Sequence, residues 1–219
     1  LRQRHRVLLP VFAALPLMVL KAGTSAVFIP FIGEIEFGFL YPLVLVPIGI
    51  IAASNLINLL AGFNGLEAGV GAIAGIALLA AGLLKNSVEV SFIASALTAA
   101  CLAFLFFNWF PAKIFPGNTA TYVIGAAIAS AIIIGNMERL GVIILLPQII
   151  EFFLKARSRF KAENFGTLGK DGKLRYDGKT YSITHFLMKR FKPTEQQLVV
   201  MLLAIQAFFA FLGVASLYF

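Results

Sequence analysis

Long apolar runs alternate with short polar islands along the whole chain. The runs lie at about Val7–Leu20, Phe37–Ser54, Ala68–Leu84, Val90–Phe107, Thr119–Gly135, Leu140–Leu154 and Leu198–Phe219. Each approaches the roughly 20 residues that an α-helix needs to cross a bilayer. The shorter ones gain length from flanking residues such as Lys21, whose aliphatic stem lets its charge reach water. The pattern predicts an all-α polytopic transmembrane bundle of about seven helices. Pro10, Pro16, Pro42, Pro47 and Pro147 fall inside the runs and mark expected kinks. Between the first two runs, Ala22–Glu36 alternates irregularly and predicts a short strand-like or re-entrant lid without chemistry of its own. Gly65/Gly69 and Gly71/Gly75 have the small-residue spacing that lets membrane helices approach closely.

Composition agrees with this pattern: 60% of residues are hydrophobic and 13% charged, far from the balance of a soluble domain. The net charge of +8 would suit nucleic acid, but its distribution excludes that reading. With seven crossings, every Lys and Arg except Lys21, Lys85 and Arg139 falls on one side. The positive-inside rule makes that side cytoplasmic. Cys101 is the single cysteine and lies in an apolar run, so no disulfide framework or cysteine metal site is expected. Serine-hydrolase sets, zinc spacings, Walker loops and dinucleotide fingerprints are absent, as are Asn-x-Ser/Thr acceptor sites. No signal peptide is visible.

The polar islands carry the candidate chemistry. Asn55-Leu-Ile-Asn58-Leu-Leu-Ala-Gly62-Phe-Asn64-Gly-Leu-Glu67-Ala-Gly69 lies between two apolar runs and holds three amides and a carboxylate. Such groups at a membrane helix end are costly unless they face protein, water or a ligand. Asn55 and Asn58 are three apart and share a helical face, while Gly62 and Gly65 permit a sharp turn. Amide oxygens beside a carboxylate can hold a hard cation, and exposed backbone groups can hold an anion; a water-facing helix end with packing glycines is the plainer alternative. A second island, Phe107–Thr119, combines Trp109 and phenylalanines suited to an interfacial belt with Pro116-Gly-Asn118-Thr119 opening the next helix. Asn118 or Thr119 is placed as its N-cap, and a helix N-terminus favours phosphate. The third island, Lys155-Ala-Arg157-Ser-Arg159-Phe-Lys161, begins a loop subdomain over 155–197. Its cations suit membrane topology, anionic lipid or phosphate capture. Asp171-Gly and Asp177-Gly read as hairpin turns, and His185 reads as structural rather than catalytic.

The Asn55–Gly69 stretch resembles a signature of the polyprenyl-phosphate N-acetylhexosamine-1-phosphate transferases, in the form of the eukaryotic and archaeal branch that starts N-glycan assembly. The resemblance implies transfer of N-acetylhexosamine-1-phosphate, most simply N-acetylglucosamine-1-phosphate, from a UDP-sugar to polyprenyl or dolichyl phosphate with release of UMP. It implies magnesium, with manganese as the alternative, held by Asn58 and by Asn118, which stands where the family's Phe-x-Gly-Asp-Thr motif has aspartate. That departure removes a negative charge from the site. Arg157-Ser158-Arg159 resembles an Arg-His-Arg element, and Arg6 stands where the family has a diphosphate-contacting lysine. Arg6, Arg157 and Arg159 are therefore the implied catalytic cations. Asn55, Gly62, Asn64 and Glu67 are the implied substrate-binding positions, with Glu67 orienting the loop through backbone hydrogen bonds. The family also carries an aspartate pair just upstream of Leu1, so the chain is expected to be a fragment of a larger bundle. The reaction is expected at the cytoplasmic face of the cell or endoplasmic reticulum membrane, without nucleic acid, and a homodimer is compatible with it.

The rival reading is a secondary transporter of a polar or anionic solute, which would place unwound polar segments near the bilayer midplane. Here the polar islands fall at run ends. A purely structural membrane subunit leaves the Asn55–Gly69 motif unexplained.

Overall fold

The computed structural model describes residues 7–29 and 33–218. The chain opens with helix α1 (Val11–Val19), which contains Pro16. Strands β1 (Ala26–Ile29) and β2 (Gly33–Glu36) then pair antiparallel, with Ala26 opposite Glu36. This is the strand-like element expected of Ala22–Glu36. A π-helical turn at Tyr41–Leu45 runs into α2 (Val46–Leu59), with Pro42 and Pro47 in the transition. Next come α3 (Leu66–Leu84), α4 (Val88–Asn108) and α5 (Gly117–Ile134). Helices α6 (Glu138–Ile144) and α7 (Leu146–Ala156) follow. A two-residue hairpin of β3 (Thr167–Leu168) and β4 (Leu174–Arg175) precedes α8 (Ile183–Phe191) and α9 (Glu195–Ala215).

Among the described residues, five stretches are long and apolar enough to cross a membrane: Tyr41–Leu59, Leu66–Leu84, Val88–Asn108, Gly117–Ile134 and Glu195–Tyr218. Two expected runs look different. The first yields only the nine-residue α1 within the described residues. The Leu140–Leu154 run is two helices rather than one, broken at Leu145, with Pro147 in the first turn of α7. Proline lacks the N–H that would continue the ladder. The broken pair still traverses the bundle. Glu138 at its start accepts a 2.7 Å bond from Tyr41 Oη at the beginning of α2's stretch, while Lys155 near its end reaches Leu59 at the close of α2.

Helix α3 is the most enclosed of the five, packed between α4 and α9. Helices α2 and α5 pack together, and Gly125 makes their approach possible, since a Cβ there would collide with the backbone of Ala53 and Ser54. The core joins Ile50, Ile57, Leu66, Leu78, Ile128, Leu140 and Leu198 from five helices. Buried apolar surface in a bilayer gains little from leaving water, so close packing and hydrogen bonding hold these helices together. The Asp171-Gly172 turn forms as predicted, with Gly172 at a φ of +72° between β3 and β4. Asp177-Gly178 forms no strand pair.

Candidate active site

One end of the bundle collects the close of α2, the start of α3, the close of α4, the start of α5, the close of α7 and the start of α9. The polar islands meet there because α2 and α5 are adjacent. Asn58 Nδ2 donates to Asn118 Oδ1 at 3.1 Å and to Thr121 Oγ1 at 2.8 Å. Thr121 Oγ1 in turn donates to the Asn118 carbonyl at 2.9 Å. Asn118 and Thr119 are not N-caps: the helix already starts at Gly117, and the Asn118 amide turns to Asn58 instead.

The loop joining α2 to α3 is a folded object. Leu59 ends α2, and Gly62 and Gly65 turn the chain at φ values of +111° and +81°. Only glycine adopts such values without strain. A Cβ at Gly62 would strike Phe165, and one at Gly65 would strike Trp109. Glu67 is buried and its Oε1 accepts the Gly62 N–H at 2.9 Å, the loop-orienting role expected of it. Asn64 ties three segments together. Its Oδ1 accepts the Ala112 N–H at 2.9 Å, and both its backbone and side-chain nitrogens donate to Glu195 Oε1. Buried Asn108 accepts the Gly65 N–H at 3.1 Å and donates to the Ile114 carbonyl at 2.8 Å. Asn55 turns away from Asn58, donating to the Val7 and Ile51 carbonyls at 3.1 and 2.7 Å.

The basic island divides. Lys155, read from sequence only as part of a basic cluster, is buried and donates to the Leu59 carbonyl at 2.6 Å. Glu151, 3.6 Å away and fully buried, balances it and accepts the Ile183 N–H at 2.8 Å. Asn164 Nδ2 adds donors to the Leu59 and Ala61 carbonyls at 3.0 and 2.9 Å. Arg157 and Arg159 are exposed. The Arg157 guanidinium donates to the Thr180 carbonyl at 2.6 Å and lies 5.9 Å above the Tyr181 ring. Arg159 follows the helix end at a φ of +54°. Arg6 lies outside the described residues.

His185 is fully buried. It stacks on Tyr176 at 3.6 Å, accepts from the Tyr181 N–H through Nδ1 and donates through Nε2 to the Glu163 carbonyl at 2.7 Å. Burial pushes its pKa below the ordinary 6.5, outweighing the Glu163 carbonyl, which favours the charged ring. The ring is therefore a neutral structural pin, as expected.

Whether a cation fits this end turns on the Asn58–Asn118 pair. Both of these Asn58 bonds are made by its nitrogen, so Asn58 Oδ1 keeps its acceptor capacity, and Asn118 Oδ1 keeps a second lone pair. Both donors are neutral, and the described residues hold no group of three or more His, Cys, Asp or Glu suited to a metal. Two amide oxygens fit a cation that brings further ligands with it better than a resident cage. An apolar groove of about 300 Å³ runs between α2, α5, α6 and α7, lined by Leu45, Gly49, Ala52, Leu56, Ile133 and Val142 among others.

Fold and site together define the class: an integral membrane protein whose polar residues gather at one end of an α-helical bundle. Residues 1–136 match glycosyl transferase family 4, and the chain belongs to that family. It is 41% identical over 97% of its length to a Saccharolobus solfataricus protein provisionally named UDP-N-acetylglucosamine–dolichyl-phosphate N-acetylglucosaminephosphotransferase, of which it covers 67%. A Sulfolobus acidocaldarius protein of the same provisional name is 39% identical, with 97% of this chain and 65% of that protein aligned. The UDP-N-acetylglucosamine–dolichyl-phosphate N-acetylglucosaminephosphotransferase of Dictyostelium discoideum is 28% identical over 97% of this chain and 62% of its own length. The chain thus spans about two thirds of the length of these relatives.

Proposed function

We propose that the complete protein transfers N-acetylglucosamine-1-phosphate from UDP-N-acetylglucosamine to dolichyl or another polyprenyl phosphate at the cytoplasmic membrane face. The observation that carries this reading is the Asn58–Asn118 pair, which joins the two polar islands at the N-terminus of α5. Names of relatives at 39–41% identity point the same way. An oxygen of the lipid phosphate attacks the sugar-bearing phosphorus. A new P–O bond forms there while the P–O bond to UMP breaks, and UMP leaves with the bonding electrons. Magnesium, when bound with the diphosphate, supplies neutralisation of the charge on the transferring and leaving oxygens. Asn58 and Asn118 offer it amide oxygens. The amide dipoles at the start of α5 favour the phosphates. Arg157, Arg159 and Arg6 supply guanidinium contacts to the diphosphate. The Gly62–Glu67 loop, with Asn55 and Asn64, shapes the nucleotide side, and the groove between α2 and α5–α7 takes the polyprenyl chain.

The metal assignment makes a direct prediction. With only neutral oxygens from this chain, magnesium should bind the nucleotide-free, full-length enzyme negligibly and bind together with UDP-N-acetylglucosamine. Asn118→Asp should strengthen nucleotide-free binding by about tenfold, equivalent to roughly 1.4 kcal/mol, and Asn58→Ala should abolish turnover. Calorimetric titration of magnesium, with activity assays of both variants, checks this. Tight nucleotide-free binding by the natural sequence, or an active Asn58→Ala enzyme, would reject the assignment.

A further inference from the structure

The segment 157–192 holds ten Lys and Arg against three Asp and Glu, and the site uses few of them. Helix α8 buries Thr184, His185, Leu187 and Met188 and turns Phe186 and Phe191 outward, 57% and 53% exposed. Phe186, Lys189 and Arg190 share a face at i, i+3 and i+4, and the Arg190 guanidinium lies 5.5 Å over the Phe191 ring. Exposed Phe mixed with Lys and Arg on a short amphipathic helix is the chemistry of an element lying in the membrane interface. Beside this face is a cleft of about 390 Å³ lined by Arg175, Tyr176, Asp177, Met188, Lys189 and Lys192. Three cations face one carboxylate there, and Arg175 is also paired with Asp171 at 2.8 Å. Lys189 belongs to both cleft and helix face, its ammonium 5.9 Å above the Tyr176 ring.

Position decides what these groups meet. Only Lys192, Pro193 and Thr194 separate α8 from α9, whose stretch Glu195–Tyr218 is long and apolar enough to span the bilayer. Three residues reach at most about 10–14 Å, so the end of α8 is held within headgroup distance of the apolar layer. We propose that α8 and the Arg175–Lys189–Lys192 cleft bind the phosphate headgroups of anionic lipids, with Phe186 and Phe191 set among the lipid glycerol backbones. This surface shares no residue with the proposed transferase site and does not depend on that reading. Its role is to hold the 157–192 segment, and with it the Asn164 and Glu151 contacts, against the bundle end.

The test uses the full-length protein in nanodiscs of phosphatidylcholine, alone or mixed equally with phosphatidylglycerol. An environment-sensitive fluorophore is placed on Phe186→Cys in a Cys101→Ala background. Emission should shift to the blue, and quenching by headgroup-level spin labels should rise several-fold, only when the anionic lipid is present. The combined substitution Arg175→Gln, Lys189→Gln and Lys192→Gln, all at exposed positions, should remove that dependence. Free glycerol phosphate should leave the emission unchanged; if it reproduces the shift, the ligand is a soluble phosphate and the lipid assignment falls. Equal quenching by aqueous iodide in both nanodiscs, or protection from both quenchers by a covering protein surface, would also overturn the proposal.

Discussion

The buried ammonium of Lys155 closes α2 by donating to the Leu59 carbonyl, one residue beyond Asn58. A helix end leaves carbonyls without intrahelical partners, and here α7 and Asn164 supply the donors. Glu151 compensates the charge at 3.6 Å. Lys155→Met leaves Glu151 buried without its cation, a change that typically costs about 3–5 kcal/mol. Thermal unfolding in detergent should show a midpoint several degrees lower, with much of the loss recovered in Lys155→Met/Glu151→Gln. An unchanged midpoint in the single variant would show that the ammonium does not hold this corner. Sequence made Asn58, Asn118, Gly62 and Glu67 legible because polar groups and glycines stand out between apolar runs. It could not separate Lys155 from Arg157 and Arg159: three cations in five residues look alike until the helix end is placed. Asn108, Asn164 and Glu195 were missed for the same reason, since their partners lie 43 to 131 residues away. The Thr194-x-x-Gln197 capping box beside Glu195 was the one local signal available.

Among the elements, the α6–α7 break is the departure with most physical content. A broken helix inside a bundle frees backbone carbonyls that lipid cannot satisfy. Gln206 of α9 donates to the Ile144 carbonyl at the break at 2.9 Å and accepts from Gln148 at 2.7 Å. Both glutamines are buried. A transporter would use such a break to hold solute, but the Gln206 amide is spent on Gln148 and the backbone, leaving Gln148 Oε1 as the one atom of the pair without a partner, which favours a structural role. Pro147 marks a kink in the sequence, whereas the role of Gln206 is visible only once α9 is placed beside the break. Helix α8 and its neighbours show a different coupling. His185 is neutral when folded and has a pKa below 6.5 because of burial, so the unfolded chain binds the extra proton first. Its contribution is full above about pH 6.5 and is lost as pH falls towards and through the folded value. The unfolding midpoint should therefore drop on acidification from about pH 7 to 5. His185→Gln should flatten that dependence, and an equally steep profile in the variant would assign it to other groups.

For the whole molecule, the ends of the bundle alternate as the apolar runs require. Leu59, Asn108, Asn118 and Lys155 gather at one end, while the Tyr41–Glu138 and Thr24–Asn136 contacts mark the other. Cysteine reporters at Ser158 and Ser87 should label from opposite membrane sides, Ser158 from the cytoplasm. Labelling of both from one side would reject the crossing scheme. The central claim is that a phosphorylated sugar, not a bare sugar, moves to lipid. The most direct measurement gives the full-length enzyme UDP-N-acetylglucosamine carrying a radioactive β-phosphate, together with dolichyl phosphate. The account predicts that the label enters the lipid fraction with equimolar UMP in the aqueous phase; UDP as the nucleotide product, with the label left in water, would contradict it.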